Sequence, residues 1–146
     1  MGILEKSIKN KVVIVTGGTR GIGFATVKAF LENGAKVVLC GSRKETVDKA
    51  LAELNKINSG YEVIGFSTNL IDISEVRSMM NEVSSKWGSV DILINNAGIS
   101  DNVSIYDQDE EHFEKVIDLN VKAVFNCSKI AAEKMKEKGK GVILNT

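Results

Sequence analysis

Proline is absent from the 146 residues, against a usual share of about 5%. The chain must therefore turn at glycine and asparagine, which suits regular elements joined by short loops. There is no charge of one sign to spare, because 19 basic residues balance 19 acidic ones along the whole length. A nucleic-acid groove or an anionic membrane surface is thus not expected as the main partner. Long apolar runs are missing too. Val12–Val15 is typical, far short of the ~20 residues that cross a bilayer. The stretch "MGILEKSIKNK" has charges where a signal peptide needs its apolar segment, so a cytoplasmic protein is expected. Only two cysteines occur, Cys40 and Cys127, with no CxxC and no histidine cluster. Reduced structural thiols are expected, and neither a disulfide nor a metal site. The one histidine, His112, lies in the acidic stretch "DEEHFEK" and reads as a solvated surface residue.

What is present alternates. Lys11–Thr16, Val37–Cys40, Val63–Phe66, Val90–Ile94 and Val142–Leu144 are short apolar runs rich in β-branched residues, the pattern of strands buried on both faces. Between them apolar residues recur at helical spacing. Ile22, Ala25, Thr26, Ala29 and Phe30 form one expected face, closed by "ENG" with Gly34 as the left-handed cap. Val47, Ala50, Leu51, Leu54 and Ile57 form a second. Ile73, Val76, Met80, Val83 and Trp87 form a third, opened by Asp72-x-x-Glu75 as a capping box. The longest runs through Phe113, Ile117, Val121, Val124, Ser128, Ala131 and Met135 as one helix ending in the charged, solvated stretch "KEKGKG". Strands separated by helices make right-handed parallel βαβ units. The fold class is a doubly wound α/β sheet in a single domain, with no linker or repeat.

In "VIVTGGTRGIGFAT" a strand, a glycine turn and a helix start follow one another, with Gly17, Gly21 and Gly23 spaced GxxxGxG. Such a turn lets backbone amides approach a pyrophosphate, and the helix N-terminus adds unpaired N–H groups and partial positive charge. A tight turn with no ligand explains one glycine more readily than three. The second strand ends "LCGSRKE", without a carboxylate at its tip. Ser42, Arg43 and, from the glycine turn, Arg20 suit a 2′-phosphate better than a bare ribose diol. NADP(H) is therefore expected ahead of NAD(H), which stays open. The alternative for Arg43 and Lys44 is a solvated helix start.

"TGGTRGIG" (Thr16 to Gly23) and "NNAG" (Asn95 to Gly98), in this order and spacing, resemble the coenzyme and second signatures of the classical short-chain dehydrogenase/reductases. The similarity covers essentially the whole chain. It is strongest toward bacterial 3-oxoacyl-[acyl-carrier-protein] reductases and bile-acid 3α-hydroxysteroid dehydrogenases. The resemblance implies a Rossmann sheet whose first five strands run in the order 3-2-1-4-5. It implies that Gly17, Thr19, Arg20, Gly21, Ile22 and Gly23 wrap the pyrophosphate and adenosine ribose, and that Ser42 and Arg43 face the 2′ position. Asn69 and Leu70 fall where the family usually has Asp-Val against adenine; Asn69 is a departure whose amide can still bond the base. Asn96, Ala97 and Gly98 would line the cofactor cleft. Asn120, in "IDLNVKAV", matches the helix asparagine that holds a water in the proton relay. It lies beside Ile117 and Val121 on the apolar face, so a buried amide satisfying backbone at a helix irregularity is an equal alternative.

The same resemblance places a catalytic serine just after the fifth strand, and a Tyr-x-x-x-Lys pair on a later helix. The sequence ends at Asn145-Thr146, and neither Tyr61 nor Tyr106 has a lysine four residues on. Residues 1–146 are accordingly expected to be a dinucleotide-binding domain truncated before the catalytic segment and inactive alone, with the last strand an unprotected apolar edge. The intact protein is expected to pass hydride between NADP(H) and a carbonyl or alcohol, with a 3-oxoacyl thioester or a steroid-like molecule as candidate substrates, and to be a homo-oligomer. A non-catalytic nucleotide-binding module or degraded gene product is the competing reading. A flavodoxin-like domain is disfavoured, because "GGTRGIG" has neither acidic clusters nor a hydroxyl-rich loop.

Overall fold

A computed structural model of the chain describes residues 7–100 and 102–146; the first six residues of the charged leading stretch lie outside them. Five strands, β1 (Val12–Thr16), β2 (Lys36–Gly41), β3 (Val63–Ser67), β4 (Ile92–Asn95) and β5 (Val142–Asn145), form one parallel sheet. Their order is β3-β2-β1-β4-β5, as expected. Between them run α1 (Gly21–Glu32), α2 (Lys44–Ile57), α3 (Ile73–Trp87), α4 (Glu110–Ile117) and α5 (Ala123–Lys138), with a π turn at Asp118–Lys122 joining the last two.

The central strands are apolar because alternate side chains feed two cores. Val12 and Ile14 of β1 join Val38 and Cys40 of β2 against α3 and α5. Val13 and Val15 join Val37 and Leu39 against α1 and α2. Successive residues of a strand point to opposite faces, so a strand covered on both sides has no polar position left. Ile14 is wholly buried, and truncating it to alanine would cost about 2–5 kcal/mol.

Two expected helix faces are corrected. In α1 the buried residues are Gly23, Val27 and Leu31, while Ile22 is 77% exposed and Ala25 and Ala29 also face solvent. The helix is apolar on nearly all sides, so its spacing fits more than one face. The long final helix is interrupted. α4 and the π turn bury no residue, and Phe113, Ile117 and Val121 are exposed. The buried face begins at Ala123 and continues through Asn126, Cys127, Ile130, Ala131 and Met135. A π turn adds a residue to the helical repeat and rotates whatever follows.

The capping box of α3 is half built. Asp72 accepts from the Ser74 N–H at 2.8 Å, but Glu75 reaches past it to the Asn69 N–H, also at 2.8 Å. Gly34 adopts the left-handed conformation expected of it, with φ 79°. Trp87 packs partly buried against the core at the end of α3. β5 lies at the end of the strand order and its residues are exposed.

Strand starts are tied by Asp91. Its Oδ2 accepts from the Val12 N–H at 2.9 Å, and its Oδ1 from Lys138 Nζ at 2.6 Å. Its backbone carbonyl accepts from the Val142 N–H at 3.0 Å. Burial alone would raise the Asp91 pKa; the bonds from Lys138, Val12 and Ser89 outweigh it and hold the carboxyl below its ordinary value.

Candidate functional site

The C-terminal ends of β1 to β4 open into one cleft of about 760 Å³, the usual ligand position in an open α/β sheet. Its floor is the β1–α1 turn. Gly17 and Gly21 have φ of 65° and 55°, which favours glycine. A Cβ on Gly23 would stand 2.0 Å from the Gly17 carbonyl oxygen, so only glycine lets α1 start this close to the strand. A Cβ on Gly21 would meet nothing within 4 Å; here the turn borders open space.

The start of α1 is unlike those of its neighbours. α3 and α4 are capped by the side chains of Asp72 and Asp109, and α2 has Glu45 in its first turn. α1 begins at Arg20 with no side-chain cap and no acidic residue in its first turn. Its leading N–H groups and the positive end of its dipole face the cleft without an internal anion.

One hydroxyl fastens the "NNAG" segment to this turn. Thr16 Oγ1, 2% exposed, accepts from the N–H groups of Asn96 and Ala97, each at 3.0 Å, and donates to the Ile94 carbonyl at 3.4 Å. The Asn96 amide returns the contact, donating to the carbonyls of Thr16 (3.1 Å) and Gly17 (3.2 Å). Asn96 therefore acts through its hold on the turn. Asn95, buried, donates to Ser128 Oγ at 3.0 Å and to Asn145 Oδ1 at 2.8 Å, tying β4 to α5 and to β5.

The opposite wall is the loop after β3. Asn126 of α5, an amide buried to 4% exposure, donates to the carbonyls of Leu70 at 3.1 Å and Ile71 at 2.9 Å. Asn69 Oδ1 accepts from the Ile71 N–H at 3.2 Å. Asn120 stands in the π turn and is exposed rather than buried. Its Oδ1 accepts from the Ile99 N–H at 2.9 Å and its Nδ2 donates to the Ile99 carbonyl at 2.8 Å. The alternative reading of Asn120, an amide satisfying backbone at a helix irregularity, describes this contact.

The cleft brings together Gly17, Thr19, Arg20, Gly21, Ile22, Gly23, Ser42, Asn69, Leu70, Asn96, Ala97 and Gly98, all singled out in the sequence. Arg43, at the N-cap of α2, and Asn120 lie outside its lining. The sequence reading missed Cys40, Gly41, Thr68, Ile71, Ile99, Lys115, Asp118 and Leu119. Most are single residues at strand ends, where position after an apolar run is the only signal. Lys115, Asp118 and Leu119 come from a helical stretch that the sequence marks only by its periodicity.

Burial, and then the neighbouring Cys127, drive the Cys40 thiol far above its ordinary range. Burial pushes Cys127 up to about 12. Both cysteines are free and buried, and neither offers a thiolate near neutral pH. Among the described residues no His/Cys/Asp/Glu group of three or more could hold a metal ion, and no helix is long and apolar enough to cross a membrane. His112 is a partly exposed part of the α4 cap, its Nδ1 2.6 Å from Asp109 Oδ1.

Residues 11–146 match the family description "short chain dehydrogenase". A 3α-hydroxysteroid dehydrogenase of Mediterraneibacter gnavus is 58% identical over 139 residues, covering 95% of this chain and 56% of its own. The 3-oxoacyl-[acyl-carrier-protein] reductase FabG of Staphylococcus epidermidis is 37% identical over 139 residues, covering 93% and 55%. The crystal structure of gox2181 superimposes with a TM-score of 0.90 at 29% identity, over 98% of this chain and 56% of that one. The chain thus spans about half the length of the curated relatives it matches. A parallel sheet in the order 3-2-1-4-5, a glycine turn latched to "NNAG" and these likenesses together show that the chain belongs to the short-chain dehydrogenase family of oxidoreductases.

Proposed function

We propose that residues 1–146 are the dinucleotide-binding part of an oxidoreductase that interconverts a carbonyl and an alcohol with NADP(H). The observation that carries this reading is the first turn of α1, uncapped and free of acidic residues, at the floor of a cleft that Arg20 and Ser42 also line. Free N–H groups at a helix start bind phosphate. In this reading Gly17, Thr19, Arg20, Gly21, Ile22 and Gly23 enclose the pyrophosphate and adenosine ribose. Arg20 and Ser42 offer a guanidinium and a hydroxyl to the 2′-phosphate, with no carboxylate at the tip of β2 to repel it. Arg43 adds positive charge close by. Asn69 and Leu70 meet the adenine, and Asn96, Ala97 and Gly98 line the cleft.

When bound, the nicotinamide group supplies or accepts hydride. The chain's task is to hold that group and to exclude water around it. Asn120 is assigned the relay-water position, beside the Ile99 backbone that its carboxamide already engages. A general acid must lie within hydrogen-bond reach of the oxygen it protonates. The family's serine, tyrosine and lysine have no counterpart within residues 1–146, so these residues alone are expected to bind cofactor without turnover. We assign the whole protein a small carbonyl or alcohol substrate, steroid-like or a 3-oxoacyl thioester, a homo-oligomeric state and the cytoplasm.

Ser42→Asp tests the cofactor assignment. A carboxylate facing the 2′-phosphate should weaken NADPH binding at least about tenfold while sparing NADH, as read by fluorescence titration. Equal losses for both dinucleotides would refute the 2′-phosphate reading.

A further inference from the structure

Five polar side chains are buried among the described residues: Thr16, Thr68, Asp91, Asn95 and Asn126. Asp91 ties strand starts, while Thr16 and Asn95 join segments at the strand tips. Thr68 touches the sulfur of Met79. Asn126 differs from these because it stands on the buried face of α5, where a leucine of similar size would pack without a polar burial cost. Asparagine is a poor helix former, and a buried amide must be bonded. Its partners lie in the cleft wall.

Asn126 Nδ2 uses both its hydrogens on the loop after β3, donating to the Leu70 carbonyl at 3.1 Å and the Ile71 carbonyl at 2.9 Å. The loop's other bonds are local. The Thr68 N–H donates to the Gly41 carbonyl at 3.1 Å, where β3 ends beside β2. The Asn69 N–H donates to Glu75 Oε2 at 2.8 Å, and the Asn69 carbonyl accepts from the Asp72 N–H at 3.1 Å. These last two join the loop to the start of α3, which follows it directly and would move with it. The Leu70 side chain is buried in the core, but apolar burial has no preferred direction and leaves the peptide planes free to turn. Among the described residues, Asn126 alone holds the Leu70 and Ile71 carbonyls from another layer, 56 and 55 residues further along the chain.

We propose that Asn126 is a positioning residue, which fixes the β3–α3 loop in the orientation that receives the dinucleotide. It acts through the loop, since it lies outside the lining of the cleft. The assignment rests on the dinucleotide reading above. With the amide gone, the Leu70 and Ile71 carbonyls lose their partner and turn toward water, and the loop leaves its place in the wall. A loop in place for about a tenth of the time weakens binding about tenfold. NADPH and NADH share the adenine assigned to this wall, so both weaken by the same factor.

The test is titration of the chain with NADPH and NADH in the wild type, Asn126→Leu and Asn126→Ala, with urea unfolding read by far-UV circular dichroism and backbone amide exchange. The leucine variant should stay folded and bind both dinucleotides about tenfold more weakly, at an unchanged NADPH/NADH ratio. Exchange at the Asn69, Ile71 and Asp72 N–H groups, which are bonded at the loop, should quicken. At Gly18 and Phe24, bonded in the glycine turn, it should match the wild type. Asn126→Ala removes the same donors and carries the test should the leucine not fit. Unfolding of both variants, or folded variants that bind as tightly as the wild type, would make Asn126 a purely structural residue and overturn the proposal. A changed NADPH/NADH ratio, or faster exchange in the glycine turn, would place the loss outside the loop and overturn it as well. A folded wild type that binds neither dinucleotide would overturn the cofactor reading itself, and this inference with it.

Discussion

Replacing Thr16 by valine removes one oxygen and almost no volume. That oxygen accepts two N–H groups at 3.0 Å, from Asn96 and Ala97; its own donation at 3.4 Å is long and contributes little. Leaving a buried donor unsatisfied costs about 1–3 kcal/mol. Asn96 and Ala97 are half-buried, so water can partly replace the lost acceptor and the lower part of that range applies. Two such donors give a loss of about 2–4 kcal/mol, a large share of the roughly 7–20 kcal/mol that holds a domain of this size together. Thr16→Ser keeps the oxygen and sacrifices one methyl, so it should lose only about 1 kcal/mol. Urea unfolding of the three proteins, read by circular dichroism, gives both differences, and NADPH titration should show a weakened site in the valine variant alone. If valine and serine were equally stable, the hydroxyl would not be the latch between "NNAG" and the glycine turn.

Three further outcomes can be checked. Gly23→Ala drives a Cβ into the Gly17 carbonyl and should cost more than about 2 kcal/mol. Gly21→Ala meets nothing and should cost only the left-handed backbone penalty of about 1–2 kcal/mol; equal unfolding midpoints would contradict the assigned geometry. Asp91→Ala should destabilise by about 1–3 kcal/mol by orphaning the Val12 N–H. Because the folded Asp91 pKa is depressed, its contribution is complete above the unfolded value of about 3.9. It fades as pH falls through the folded pKa, so wild type and variant should converge in acid; a gap that widens there would be inconsistent. Asn120→Ala should loosen the segment at Ile99, seen as faster amide exchange there than in wild type, with α5 unchanged; unaltered exchange would remove its anchoring role.

How much of this was readable beforehand depends on whether the signal was local. Strands buried on both faces must be apolar at nearly every position, so β1, β2 and β4 stand out, and β3 and β5 at the two ends of the sheet share the pattern; the glycines of the β1–α1 turn are set by backbone demands that nothing else meets. The face of α1 was misjudged because Ile22, Val27 and Phe30 are all apolar and only the sheet decides among them. The switch of face in the last helix was hidden because a π turn leaves no mark in composition. Thr16, read as the end of a strand and a motif's first letter, gave no sign of bonding a segment 80 residues away. Asp118 escaped for a similar reason, since an acid in a helix reads as a solvated face until the cleft it lines is seen.

The central claim is best tested by direct titration of the 146-residue chain with NADPH and NADH at equal ionic strength, following nicotinamide fluorescence. Saturable binding of both, with NADPH the tighter, is the predicted result. A folded chain that binds neither dinucleotide, or that prefers NADH, would contradict it.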